Sequence, residues 1–259
     1  MTQLTIATFN ANSIRARLQQ IIDWMDAGHA DILAIQETKV QDKDFPRSPI
    51  EEAGYHVAFA GQKRSAGVAT ISKTPPLAVS AGFDDGTDRV RLLCTRFDSL
   101  VLVNTYVPQG RDVEHEQFAY KLRWIEQIGT WFADHFTPED PLVWVGDLNV
   151  ATEDIDVHNP NGHRGHVDFH PDVQAALETV RQWGFTDIFR KHHPAEPNQF
   201  TYFDYRARNP IDRNIGWRID HIWATPPVAA ASQSAWIDLD ARRAERPSDH
   251  TFLAAAFDL

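Results

Sequence analysis

The chain has 259 residues, 42% of them hydrophobic, which is ample for a sizeable core in one compact unit spanning 1–259. A formal net charge of −11 excludes polyanion binding over the whole surface but leaves room for a local basic face. The N-terminus lacks a basic segment followed by an apolar stretch, and nowhere do 18 consecutive apolar residues occur, so a soluble, cytoplasmic protein without membrane association is expected.

In chain order, the apolar run from Leu4 to Phe9 reads as a strand. Ile14, Leu18, Ile21, Ile22 and Met25 follow at helical spacing, with Asn12 or Ser13 as N-cap and Gly28 as C-cap. Strand-length runs recur at 32–35, 57–60, 68–71, 91–97 and 101–107. Cys94, the sole cysteine, sits inside "RVRLLCTRF"; it rules out an internal disulfide and reads as a small core residue without a catalytic role. Phe118, Leu122, Ile125, Ile128 and Phe132 mark a second helix, the run 142–145 another strand, and Val173, Leu177, Val180 and Trp183 a third helix. Runs at 219–223 and 252–257 close the series. The least patterned stretch, 153–170, reads as a long loop, and the Pro-containing segments 74–77 and 225–228 read as turns. Strands outnumber helices and many are joined by short turns, which disfavours a doubly wound parallel sheet. It favours an α+β sandwich of two packed, mixed sheets flanked by helices.

Several strands end in residues that strands disfavour. "VWVGDLN" finishes on Asp147 and Asn149, and a carboxylate and an amide at a strand tip suit a ligand site better than a core. Asn10, Glu37, Tyr106, Asp220, Asp249 and His250 also adjoin apolar runs. Each has a bland reading: Glu37 as a helix cap, Asp220 as the partner of a nearby Arg, His250 as a satisfied structural histidine. The basic clusters around Arg15, Lys63, Lys121 and Arg206 to Arg218 read, one at a time, as ordinary solvated charges. Joint occurrence of the strand-end residues is what points to a site.

Taken together, "FNANSIRA", "QETK", "YVPQG", "GDLN", "GWRIDHI" and "PSDH" resemble exonuclease III and its relatives, the class II abasic-site endonucleases of the metal-dependent endonuclease/exonuclease/phosphatase superfamily. The resemblance implies a four-layered α/β sandwich with its site at one end of two sheets. It also implies a Mg²⁺-dependent DNA-repair phosphodiesterase, with Mn²⁺ as a substitute, that hydrolyses DNA at abasic sites or 3′ ends. The expected partner is double-stranded DNA with abasic sites, nicks or blocked 3′ ends, bound by a monomer. Acidic oxygen ligands, with no Cys/His cluster, agree with that metal class and not with structural zinc. By resemblance, Glu37 is the principal metal ligand, with Asn10 and Asp249 nearby. Asp147 orients or deprotonates the attacking water, Asn149 donates to a phosphate oxygen from two residues on, and Tyr106 supplies a phenol or phenolate. Asp220 and His250 form a carboxylate–imidazole pair, with the proton acceptor open between His250 and Asp147. Trp217, Phe200 and Tyr202 pack around an extruded sugar or terminal nucleotide, core packing being an equal reading for Phe200. Arg206, Arg208 and Arg213 grip the backbone. His163 and His166 stand where strong abasic-site cutters of the family carry Asn or other residues. A bulky His166 is expected to bias the enzyme toward 3′-end processing.

Two other readings remain. A superfamily phosphodiesterase or phosphatase acting on a lipid or small nucleotide is allowed by the acidic net charge but disfavoured by the basic clusters and "GWRID". A catalytically dead DNA-binding or scaffold protein is disfavoured by the joint presence of the polar strand-end set. A Ser248 nucleophile fails on context, because no Gly-x-Ser-x-Gly elbow surrounds it.

Overall fold

The computed structural model describes residues 3–259. Twelve strands are formed: β1 Gln3–Asn10, β2 Ile32–Gln36, β3 His56–Ala60, β4 Val68–Ser72, β5 Ala78–Ala81, β6 Leu92–Arg96, β7 Val101–Tyr106, β8 Leu142–Asp147, β9 Thr186–Asp187, β10 Asp220–Ala224, β11 Ser232–Asp238 and β12 Phe252–Asp258. They make two six-stranded sheets, ordered β11-β12-β1-β2-β4-β3 and β5-β6-β7-β8-β10-β9. Each sheet has one parallel pair at its centre, β1 with β2 and β7 with β8, and antiparallel pairs elsewhere. The expected α/β sandwich of two mixed sheets is therefore the observed architecture.

Side chains alternate between strand faces, and the faces buried between the sheets change character along their length. On β1 the inner series is Ile6, Thr8, Asn10; on β2 it is Ile32, Ala34, Gln36; on β7, Leu102, Asn104, Tyr106; on β8, Val143, Val145, Asp147. Ile6, Ile32, Ala34, Leu102, Val143 and Val145 belong to one buried cluster with Ile222, Leu253 and Ala255. Midway, the layer turns polar but stays satisfied: Gln36 Nε2 donates to Asn104 Oδ1 at 2.7 Å, and Asn104 Nδ2 donates to the Ala69 carbonyl at 2.8 Å. The gradient ends in carboxylates. Because β10 and β12 run antiparallel to these strands, their N-terminal ends, Asp220 and the residues just before Phe252, arrive at the same edge.

Helices Ile14–Asp26, over the first sheet, and Glu116–His135 with Pro171–Gln182, over the second, cover the outer faces with the apolar stripes expected from their spacing. Gly28 ends the first as anticipated, at φ +82° with its N–H on the Met25 carbonyl. The N-terminus differs. Ser13 occupies the cap position, but its side chain makes no capping bond. The carbonyls of Glu37 and Thr38 accept from the N–H groups of Ser13 and Ile14 instead, at 2.8 and 3.1 Å. Backbone from the Glu37 loop thus does the capping and locks that loop to the helix.

Three strands escaped the sequence pattern, β5, β9 and β11, all at sheet edges where one strand side has no partner. The stretch 225–228 is a helix start, not a turn: Thr225 precedes the helix Pro226–Ala231 without a side-chain capping bond, and Pro fits where no N–H is needed. The 153–170 loop contains a 3₁₀ turn at Asp154–Asp156 and a helical turn at Pro160–His163.

Candidate active site

The polar strand ends converge on a cavity of about 730 Å³ whose lining includes Glu37, Tyr106, Asp147, Asn149, Asp249 and His250. Asn10 ties its floor together. Its Nδ2 donates to Glu37 Oε1 at 3.0 Å and to Asp147 Oδ2 at 2.8 Å, while its Oδ1 accepts from the Asn12 backbone N–H at 2.9 Å. As placed, Asn10 turns nitrogen, not oxygen, toward the acidic residues. Lys39 Nζ lies 2.5 Å from Glu37 Oε2 and 2.5 Å from Asn12 Oδ1, and Asn12 Nδ2 reaches Asp249 Oδ1 at 3.0 Å. The sequence marked Asn12 only as a helix-cap candidate and did not mark Lys39, although both stand inside the quoted motifs.

Backbone strain accompanies these residues. Glu37 and Asn149 both adopt φ of +51°, a region that costs a non-glycine residue about 1–3 kcal/mol and is tolerated mainly at functional sites. Gly146 cannot be replaced cheaply: its φ is +142°, and a Cβ there would lie 1.9 Å from the Thr105 carbonyl oxygen. Asp147 ends β8, so Asn149 reaches the cavity through a left-handed turn beyond the strand. Its backbone N–H donates to Asp147 Oδ1 at 2.9 Å, and one of its two amide hydrogens is spent on the Val107 carbonyl.

His250 Nδ1 lies 2.8 Å from Asp220 Oδ2, and His250 Nε2 lies 3.8 Å from Asp147 Oδ2. Asp220 is wholly buried, and its Oδ1 has no hydrogen-bond partner among the described residues. Burial alone would lower the His250 imidazolium, but the carboxylates of Asp220 and Asp147 outweigh it and push its pKa up to about 10. Asp147 is raised above the usual carboxylate range by burial and by the charges of Asp220 and Glu37, against the opposing pull of His250 and Asn10. Glu37 is held below that range because Lys39, Asn10 and Tyr106 more than offset its burial. Burial, with the charges of Glu37 and Asp147, keeps the Tyr106 phenol well above its usual value, so Tyr106 is a neutral donor and not a phenolate.

The upper wall carries Trp217, Tyr202, His158, His163, His166 and Arg206. Trp217 is fixed by pairing with Val157 and Tyr202, and Tyr202 also pairs with His250. Phe200 is corrected: it is 1% exposed, does not line the cavity, and packs in the core against Phe203 and beneath Gly216. Arg206 lines the cavity, bound to Asp204 at 2.6 Å. Arg208 and Arg213 are exposed but outside the lining, and Arg213 Nη1 donates to the Arg208 carbonyl. Two residues from the supposedly solvated clusters are fully buried. Arg218 pairs with Asp156 and Asp187, while Lys121 Nζ donates to Asp168 and to the carbonyls of Gln109, Asn149 and Val167. Burial and the two neighbouring imidazoles lower the pKa of His163.

Residues 7–250 match the Endonuclease/Exonuclease/phosphatase family. The chain belongs to that family. Exodeoxyribonuclease III of Haemophilus influenzae is 33% identical over 263 residues, covering 96% of this chain and 98% of the relative. An AP endonuclease from Archaeoglobus fulgidus superposes with a TM-score of 0.96 at 43% identity, over 99% of this chain and 100% of that one. A 3′-5′ exonuclease from Neisseria meningitidis gives 0.95 at 32% identity, with coverage of 99% and 100%. Within the family chain, no described helix is long and apolar enough to cross a membrane.

Proposed function

We propose that this endonuclease/exonuclease/phosphatase family member is a Mg²⁺-dependent DNA-repair phosphodiesterase of the exonuclease III type. Its substrates would be abasic sites and 3′ ends of double-stranded DNA, and it would act as a cytoplasmic monomer. One observation carries the reading: the Asn10 amide holds Glu37 and Asp147 in a single cavity, opposite a buried Asp220–His250 pair. The donor set suits a hard divalent cation. Glu37, Asp249 and Asp147 offer carboxylate oxygens, no thiolate is near, and the Lys39 ammonium already stands against the outer oxygen of Glu37. Bound by Glu37, with Asn10 and Asp249 beside it, Mg²⁺ would supply positive charge to the phosphate and the leaving oxygen.

The chain's own groups do the rest. A positioned base contributes about 10²- to 10⁴-fold, and Asp147, aimed by Asn10 and Asn149 and raised above the usual carboxylate range by burial, fits that role. His250 stays cationic through neutral pH and so suits a donor to the phosphate better than a proton acceptor. Tyr106 adds a phenolic donor and Asn149 its remaining amide hydrogen, fixed in place before the phosphate arrives. Trp217 and Tyr202 offer aromatic faces to an extruded nucleotide or sugar.

Labelled duplexes bearing a nick, a 3′-phosphate or a tetrahydrofuran abasic mimic test the reading. Hydrolysis abolished by EDTA is expected, and Glu37→Gln should demand much more Mg²⁺. An unchanged Mg²⁺ requirement in that variant would remove Glu37 as the principal ligand. His166, exposed on the wall 5.0 Å from the Trp217 ring, supports a bias toward 3′ ends, because its imidazole narrows the space for an internal sugar. His166→Gly should therefore raise incision of the internal mimic relative to 3′-phosphate removal; efficient wild-type incision, unchanged in the variant, would sink the bias.

A further inference from the structure

Beside the acidic floor, the cavity wall holds two histidines that the phosphodiester chemistry leaves unused. His158 and His163 face each other with Nε2···Nε2 at 3.3 Å and ring centroids 4.8 Å apart. That separation is long for a nitrogen-to-nitrogen hydrogen bond. It equals the spacing of two imidazole ligands on one tetrahedral ion, since Zn–N bonds of about 2.0–2.1 Å put adjacent nitrogens about 3.3–3.4 Å apart.

The surroundings hold that geometry. His158 Nδ1 lies 3.3 Å from the Gly216 carbonyl, so Nδ1 carries the proton and Nε2 presents a lone pair, the outer-shell arrangement that metal-bound imidazoles show. His163 ends the short turn Pro160–His163, in which the Gly162 N–H donates to Asn159, and its ring lies 5.0 Å from Trp217. His166 stands apart: its ring is 6.5 Å from that of His163, and its Nδ1 accepts from the Asp168 N–H. Imidazole pairs favour borderline ions such as Zn²⁺ over Mg²⁺, whereas the oxygen donors around Glu37 have the opposite preference.

We propose that His158 and His163 form a second, inhibitory cation site for Zn²⁺, separate from the oxygen-donor site. Water completes the coordination sphere. An ion held there stands against Trp217, on the wall where an extruded sugar or terminal nucleotide packs, and so competes with substrate. Binding is independent of the proposed DNA chemistry; only the inhibitory half rests on it.

The test titrates Zn²⁺ into the Mg²⁺-saturated protein, read by calorimetry and by the histidine ring signals in NMR, with no DNA present. Wild type is expected to take up one Zn²⁺ that perturbs His158 and His163. His158→Gln and His163→Gln should each weaken uptake at least tenfold, while Glu37→Gln and His166→Gln should retain it. In a second arm, hydrolysis is followed against Zn²⁺ at saturating Mg²⁺, each protein scaled to its own zinc-free rate. The midpoint of inhibition should rise at least tenfold in either pair variant. Uptake unaffected by both substitutions, or lost in Glu37→Gln instead, overturns the site. Uptake that needs both histidines but leaves hydrolysis unaffected overturns its inhibitory role.

Discussion

Asp220 does not line the cavity, yet it sets the charge of a residue that does. Its carboxylate, sealed beside His250 Nδ1, is one of the two that keep the imidazolium to about pH 10. An ordinary histidine loses its proton near pH 6.5, so this pair contributes stability that is fully present below about pH 6.5 and fades as pH rises through about 10. Asp220→Asn keeps the shape and removes the charge. Burial, which lowers the imidazolium, is then opposed by Asp147 and, less strongly, by Asp249. The alkaline limb of kcat/KM should move to lower pH by more than one unit, and the His250 ring resonances should titrate with it. A limb that stays in place would show that a cationic His250 is not required for turnover.

At the scale of elements, the site depends on how its loops are tied to the helices behind them. Lys121, on the helix Glu116–His135, is wholly buried and gathers three loops with one ammonium: the Gln109 carbonyl at 3.2 Å, that of Asn149 at 2.6 Å, and Val167 with Asp168 at 2.9 and 2.8 Å. Removing one partner of a buried, hydrogen-bonded charge pair costs roughly 3–5 kcal/mol. Lys121→Met should lose about that much in urea unfolding. A loss below about 1 kcal/mol would mean that the carbonyls find other donors. In the sequence, Lys121 is one of two charges in "YKLRW", and nothing local distinguishes a buried lysine from a solvated one. The strand ends were legible for the opposite reason: an apolar run closing on Asn10, Tyr106 or Asp147 breaks the period-2 pattern itself. Edge strands β5 and β11 were not, since their residues are largely half-buried or exposed and show little alternation. Phe200 was ambiguous because its place against Gly216 and Phe203 comes from chain crossings that spacing does not encode.

For the molecule as a whole, the difficulty is electrostatic. For the proposed function, a body of net charge −11 would have to hold a polyanion beside its own carboxylates, and Arg111 and Arg206 are the Lys and Arg residues lining the cavity. Each phosphate neutralised contributes about −0.9 to the slope of log K against log salt. Binding should therefore be salt-dependent but shallow for a DNA-binding protein, with a slope near about −2 if those two arginines carry it. Arg206 does not meet the duplex as a free cation, because Asp204 already holds its guanidinium at 2.6 Å with the arginine side chain 89% exposed. Exposed pairs of this kind contribute little to stability and yield readily to a better partner. Opposite effects are thus expected at neighbouring positions: Arg206→Gln should weaken binding of an abasic duplex and flatten the slope by about 0.9, whereas Asp204→Asn should tighten it by freeing the arginine and removing a repelling charge. Fluorescence anisotropy in EDTA, where hydrolysis cannot intervene, measures both. Equal slopes for wild type and Arg206→Gln would place the phosphate grip elsewhere on the surface, and weaker binding by Asp204→Asn would mean that the pair orients Arg206 for DNA instead of withholding it.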